Sequence, residues 1–338
     1  MNGKFRRLAQ AALVLLATVL TAGQAPQKPA SAGSKPTTTA PQTATQPATV
    51  TLRFLHINDS HGKTLPFKVL KMKRGGYTRL GTLVKQRRKA TGADRTFVVH
   101  AGDILSRGDR ITRETLGEAN IAILNEIGFD YWTPGNGDFY DGLKVLTARI
   151  DQFKGKALTS NVTRENSDKA VGEQYSIEKV GDVRVAFFGL CNRRVGTRSA
   201  KAVEVADAVK TARKLVPKLQ KQADVVVAVT HLGLTDDRKL ARQVHGIDLI
   251  IGGHTHSTLW SGLKETGPGG RKVLIVQASD HLQRLGEAEL TLRKQTGGWA
   301  VVSSSAQLHS VHSGLKPDPA VLKLLRKYWL PTTQPAGK

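Results

Sequence analysis

The chain has 338 residues, 39% of them apolar and only 5% aromatic, with 51 Lys and Arg against 27 Asp and Glu for a formal net charge of +24. Its single cysteine, Cys191, excludes an intrachain disulfide, so the fold rests on a core of Val, Leu, Ile and Ala, which suits an α/β protein with β-branched runs in buried strands. The basic excess comes without zinc-finger spacing, an RNP pattern or aromatic-basic interleaving, so specific nucleic-acid recognition by those routes is excluded. It reads first as a solvated, self-repelling surface, and second as a weak attraction toward anionic substrates or an anionic envelope.

In chain order, Lys4, Arg6 and Arg7 precede the apolar run AALVLLATVL (11–20) and the small residues TAGQA (21–25). The run falls short of the roughly 20 residues a membrane span needs. Residues 1–25 therefore read as a cleaved secretory signal, with a periplasmic or secreted mature protein. No cysteine follows to carry a lipid. Residues 26–49, rich in Thr, Pro, Ala and Gln, read as a flexible linker. The fold is expected to span 50–315, with a C-terminal helix and tail at 316–338.

TVTLRFLHIND (49–59) alternates as a strand, and TFVVHAGD (96–103) is a short apolar strand ending in a turn. Residues 112–128 predict one amphipathic helix with Leu116, Ile123, Leu124 and Ile127 on one face, stopped by Gly128. A strand at 130–136 leads into the loop TPGNGDFYDG (133–142), and a helix follows at 143–153. Strands are predicted at 156–162, 174–180 and 183–190, the last two joined as a hairpin at Gly181-Asp182. Residues 202–223 predict a long helix containing Pro217. Then come a buried strand (223–231), a helix near 236–245, a strand and turn (247–256), strands at 272–277, 284–294 and 299–310, and a helix at 319–330. Such alternation predicts layered sheets with helices outside.

Polar residues sit just past the ends of five strands: Asp59 and His61 in HINDSHG, Asp103 in AGDILSRG, Asn136 in the 133–142 loop, His231 in VTHLG, and His254 and His256 in GGHTHS. Any one alone reads as turn decoration. Together, carboxylate, imidazole and carboxamide donors without a thiolate suit divalent first-row metals rather than a closed structural zinc site. Seven donors exceed one tetrahedral ion; two ions sharing a carboxylate would use them all. Cys191, at the end of an apolar strand, reads as a buried inert thiol, and His100 as a packing residue.

In order, HINDSHG, AGDILSRG, PGNGD, VTHLG and IIGGHTHS resemble the motif set of calcineurin-like metallophosphoesterases, and of these the 5′-nucleotidase branch. GGYTRLGTLVKQRR (75–88) and LTSNV (158–162) resemble that branch's intervening helix and strand. The resemblance covers roughly residues 50–310. It implies a two-sheet β-sandwich flanked by helices, an α-β-β-α arrangement, acting as a metal-dependent phosphoric ester hydrolase. It also implies that Asp59, His61 and His256 hold one divalent ion, that Asn136, His231 and His254 hold the other, and that Asp103 bridges them. Manganese, iron and zinc all suit these donors.

Two departures follow. The family's loop usually reads Gly-Asn-His-Glu/Asp, with the histidine over the substrate phosphate; here that position is Gly137. In the nucleotidase branch an Asp three residues on orients this histidine; here that position is Tyr140, with Asp141 one place further. A replacement proton donor is then sought in His281, of QASDHLQRLG, or in Asp141, with Asp138 and Tyr140 in the same loop. The branch also carries a C-terminal domain that stacks the nucleoside base, where this sequence offers a helix and tail, so base reading by that route is expected to be absent. The expected function is hydrolysis of a phosphomonoester or phosphodiester of a phosphorylated small molecule by a monomer. Alternatives are a non-catalytic metal- and phosphate-binding envelope protein and a hydrolase of another oxyanion ester.

Overall fold

A computed structural model of the chain describes residues 47–329 apart from 70, 106, 196 and 197. The signal segment, most of the linker and the tail from residue 330 lie outside the described residues. The first half runs β1 (Thr49–Ile57), β2 (Phe67–Val69), β3 (Met72–Arg74), α1 (Tyr77–Thr91), β4 (Thr96–His100), α2 (Arg110–Glu114), α3 (Glu118–Ile127), β5 (Tyr131–Trp132), α4 (Leu143–Gln152), β6 (Lys156–Ala157) and β7 (Val162–Arg164). The second half runs β8 (Tyr175–Val180), β9 (Val183–Cys191), β10 (Val203–Val205), α5 (Ala208–Gln220), β11 (Val225–His231), α6 (Leu234–Gln243), β12 (Leu249–Ile251), β13 (Leu263–Thr266), β14 (Lys272–Val276), β15 (Arg284–Gln295), β16 (Gly298–Ser310) and α7 (Pro319–Tyr328).

Two six-stranded sheets result, ordered β16-β15-β1-β4-β5-β6 and β13-β14-β12-β11-β9-β8. In the first sheet β1, β4, β5 and β6 run parallel, with β15 and β16 antiparallel on one side; in the second, β9, β11, β12 and β14 run parallel between antiparallel edge strands β8 and β13. The sandwich follows from strands apolar on both faces. Along β1, Leu52 and Phe54 enter the core between the sheets, while Leu55 and Ile57 face α1, α3 and α7. Along β11, Val225, Val227 and Val229 pack between the sheets, and Val226 and Ala228 pack under α5 and α6. Period-two alternation inside a continuous apolar run thus produces four layers, helices outside and sheets within. The parallel strands of both sheets end at one rim.

The 174–180/183–190 hairpin forms in register, but the strand expected at 156–162 splits into β6 and β7 in different sheets, the one at 130–136 is only Tyr131–Trp132, and two helices differ from expectation. The segment 112–128 is two helices, because Leu116 (φ 47°) and Gly117 (φ 76°) adopt left-handed conformations that no α-helix propagates. Leu116 consequently lies exposed rather than on the buried face, whereas Gly128 (φ 84°) does end α3. The segment 202–223 also divides. Val203–Val205 pairs with β7, and α5 starts only where the Asp207 side chain accepts the Lys210 N–H at 2.8 Å, an N-cap that outweighs the apolar periodicity upstream.

Candidate metal centre

The loops after β1, β4, β5, β11 and β12 meet at the rim and bring together the predicted donors. Asp59 Oδ1 is their focus: it lies 3.3 Å from His256 Nε2, 3.6 Å from His61 Nε2 and 3.8 Å from His231 Nε2. His231 Nε2 is also 3.4 Å from Asp103 Oδ1, and His61 Nδ1 is 3.8 Å from Asp103 Oδ2. Two sets have ligand atoms close enough to share an ion, Asp59 with His61 and His256, and Asp59 with Asp103 and His231.

The backbone holds these side chains in unusual conformations. Asp59, His61, Asp103, His254 and His256 all have positive φ, between 46° and 77°. Left-handed non-glycine residues cost of order 1–3 kcal/mol each and persist where surrounding structure fixes them. The glycines noted beside the donors have a measurable reason. A Cβ on Gly135 would come 2.2 Å from Asp103 Oδ1, and one on Gly253 would come 2.4 Å from the Ala101 carbonyl and 2.9 Å from His231 Nδ1.

Polar neighbours aim the donors inward. His231 Nδ1 donates to the Ala101 carbonyl at 2.8 Å, which leaves the Nε2 lone pair facing the centre. Asp59 Oδ2 accepts from Asn58 Nδ2 and from the His254 N–H, both at 2.8 Å. Asp103 Oδ1 accepts the Gly137 N–H at 2.7 Å. Asp138 is a cradle: its carboxylate accepts the N–H groups of Asp103, Ile104, Leu105 and Gly135 at 2.7–2.9 Å.

Two atoms test whether cations fit. Asp59 Oδ1 and His231 Nε2 are buried, face the centre and have no hydrogen-bond partner. Orphaned acceptors at the convergence of two carboxylates and several imidazoles are what a divalent ion would satisfy. The electrostatics agree. Burial opposes a charge on His231, but the nearby carboxylates of Asp103, 3.4 Å from Nε2, and of Asp59 outweigh it and push its pKa up to about 10. The carboxylates of Asp280 and Asp59, each 3.3 Å from a His256 ring nitrogen, likewise push His256 up to about 10. The centre demands positive charge.

Residues that sequence reasoning missed complete it. Asn192, just past β9, donates to Asn136 Oδ1 at 3.1 Å and to the His231 carbonyl at 3.1 Å, and lies 3.3 Å from His254 Nδ1. It is a sixth polar residue at a strand end, the same signal as the other five. Asp280 Oδ2 lies 3.3 Å from His256 Nδ1 and 2.8 Å from His281 Nδ1. Against its partial burial, the His256 and His281 hydrogen bonds hold its carboxyl far below the usual range. His281 is thereby carried to the rim, its ring centroid 5.4 Å from that of His61, and its N–H donates to the Asp59 carbonyl. Asp141 instead turns to Arg198 at 3.9 Å. Tyr140 Oη accepts from Asn136 Nδ2 at 3.0 Å. Cys191 is buried and burial raises its thiol pKa; His100, also buried, has its pKa lowered to about 3 by desolvation and contacts Ser60 Oγ at 3.0 Å.

Comparison with known proteins places this geometry. The probable 5′-nucleotidase of Treponema pallidum is 27% identical over 265 residues, 70% of this chain and 44% of that protein. The 2′,3′-cyclic-nucleotide 2′-phosphodiesterase/3′-nucleotidase of Haemophilus influenzae is 26% identical over 343 residues, 86% of this chain and 51% of that protein. The chain thus spans about half the length of these curated relatives or less. The crystal structure of a 5′-nucleotidase precursor from Thermus thermophilus superposes with a TM-score of 0.74 at 25% identity, covering 82% of this chain and 58% of that one. The sequence profile of calcineurin-like phosphoesterases matches residues 52–258. With a match over more than half its length, the chain belongs to the calcineurin-like phosphoesterase family of metal-dependent phosphoester hydrolases.

Proposed function

We propose that this chain is an exported hydrolase of small-molecule phosphate esters that works with two divalent ions. The observation that carries the reading is the pair of orphaned acceptors, Asp59 Oδ1 and His231 Nε2, at the meeting point of five strand ends. Asp59, His61 and His256 would hold one ion, and Asn136, His231 and His254 the other, with Asp103 shared; manganese, iron or zinc suits these donors. Bound there, the ions would neutralise phosphoryl oxygens and activate water for in-line attack. Nucleotide-derived esters are the first substrates to try, because the similar proteins are named for them. Export is supported by the basic and apolar pattern of residues 1–25.

With Gly137 in place of the family's histidine, proton delivery to the leaving oxygen falls to another group. His281 supports that role better than Asp141. Its Nδ1 is fixed by Asp280 at 2.8 Å, which leaves Nε2 for proton exchange, and its ring packs beside His61. Asp141 points to Arg198.

The test is phosphate release by metal-loaded protein from an aryl and an alkyl phosphate. Both should be cleaved, and His281→Gln should slow the alkyl ester by about 10²–10⁴ and the aryl ester far less, since general-acid help matters most for poor leaving groups. Equal slowing of both would remove His281 from the role. No turnover of either ester would favour a second reading, a non-catalytic metal and phosphate binder of the envelope, which Gly137 supports.

A further inference from the structure

His254 belongs to two places at once. It is one of the seven convergent donors, and it also lines a cavity of about 340 Å³ between the ends of β9 and β11 and the starts of α5 and α6. That volume matches small-molecule sites, which begin near 300 Å³. Its floor is apolar, with Leu232 and Val209, and its rim carries Arg193, Arg194 and Lys239 against Asp207 and Asp236. The Asp207 carboxylate already caps α5 through the Lys210 N–H, and Arg193 and Lys239 act on it electrostatically. Arg194 stands apart. It is exposed, its charge acts on His254, and no ion pair engages it among the described residues. Asn192 ties this cavity to the centre, since it lines the cavity and bonds Asn136.

An apolar floor beside a reacting phosphate suits the carbon skeleton of a leaving group. A guanidinium and an ammonium on the rim suit an anion carried by that skeleton. We propose that this cavity receives the leaving group and that the preferred substrates are small phosphoesters bearing a second anionic group, a phosphate or a carboxylate. The assignment rests on the hydrolase reading above. In the reaction, water adds to phosphorus, the ester P–O bond breaks, the leaving oxygen takes a proton, and inorganic phosphate and the anionic alcohol are the products.

Three esters with one skeleton test this on manganese-loaded full-length protein: butyl phosphate, butanediol bisphosphate and phosphorylated hydroxybutyrate. The expected result is a kcat/KM at least about tenfold higher for one or both bis-anions than for butyl phosphate. The two bis-anions, compared with each other, tell phosphate from carboxylate. The double variant Arg194→Ala/Lys239→Ala should bring the ratio of bis-anion to butyl phosphate kcat/KM down to about one. Turnover of all three without preference, or a variant that slows all three equally, would overturn the substrate assignment and leave the hydrolase reading standing. No turnover of any ester would overturn both.

Discussion

The two flanks of the centre are built differently. On the inner flank, Asp103 and His231 are buried and Asn136 nearly so, and Asn192 locks Asn136, His231 and His254 together. On the outer flank, the His61 and His256 side chains are 17% and 40% exposed, and they are steadied from the solvent side by Asp280 and His281. A buried donor set with fixed partners releases a cation slowly, whereas an exposed set exchanges with water and chelators. On the two-ion reading, the contrast predicts one firmly held ion and one labile ion.

The largest effect should come from joining or severing the flanks. Asp103 touches both, so Asp103→Asn should cost on the order of 10³ in kcat on an aryl phosphate, the scale of a lost electrostatic stabiliser. Retention of wild-type kcat would dissolve the idea of a shared centre. Next, Asn192→Ala and Asp280→Asn should each weaken metal affinity by about 10–100-fold, as loss of an orienting partner does. Titration calorimetry should assign the first to the tighter binding event and the second to the weaker; both variants affecting the same event would erase the distinction between flanks.

A smaller effect is expected at Gly137. It does not have positive φ, so its backbone accepts a side chain. Gly137→His should leave kcat on alkyl phosphates within about twofold while His281 is present, and should restore about tenfold of the alkyl rate lost in His281→Gln; a tenfold gain with His281 in place would mean that His281 does not supply the proton.

The smallest effect lies away from the centre and calibrates the others. Glu287, buried in β15, accepts a bidentate pair from Arg87 and contacts His309 Nε2 at 2.8 Å. Burial opposes its charge, but the His309 and Arg87 hydrogen bonds hold its pKa at about 2. A carboxyl depressed on folding stabilises above its unfolded pKa and loses that contribution as pH falls toward the folded one. Glu287→Gln should therefore cost about 1–3 kcal/mol by urea unfolding at pH 7, with unchanged activity per folded molecule. The difference should shrink as the pH is lowered below about 4, and a constant difference would contradict the charged pairing.

Much of the centre was legible in the sequence because strand ends are local: an apolar run followed by Asp, His or Asn beside glycine marks where a side chain leaves the sheet. Asn192 carried the same mark, after AFFGLC, but two arginines follow it where the other strand ends have glycine or a second metal-type donor. Asp280 was hidden for another reason. Its partner His256 is 24 positions away, and the pair meets only because β12 and β14 are neighbours in the second sheet. The misread helices fail similarly. The periodicity of 112–128 cannot reveal that Leu116 and Gly117 turn left-handed, and the apolar residues of 203–205 are pinned by β7, far upstream.

The most direct measurement is the metal content of purified full-length protein during stepwise chelation, followed by elemental analysis. About two divalent ions per chain are expected, one lost readily and one retained, with His256→Ala abolishing the labile fraction and His231→Ala the retained one. Protein that binds no divalent ion, or that keeps both after His231→Ala, would contradict that expectation.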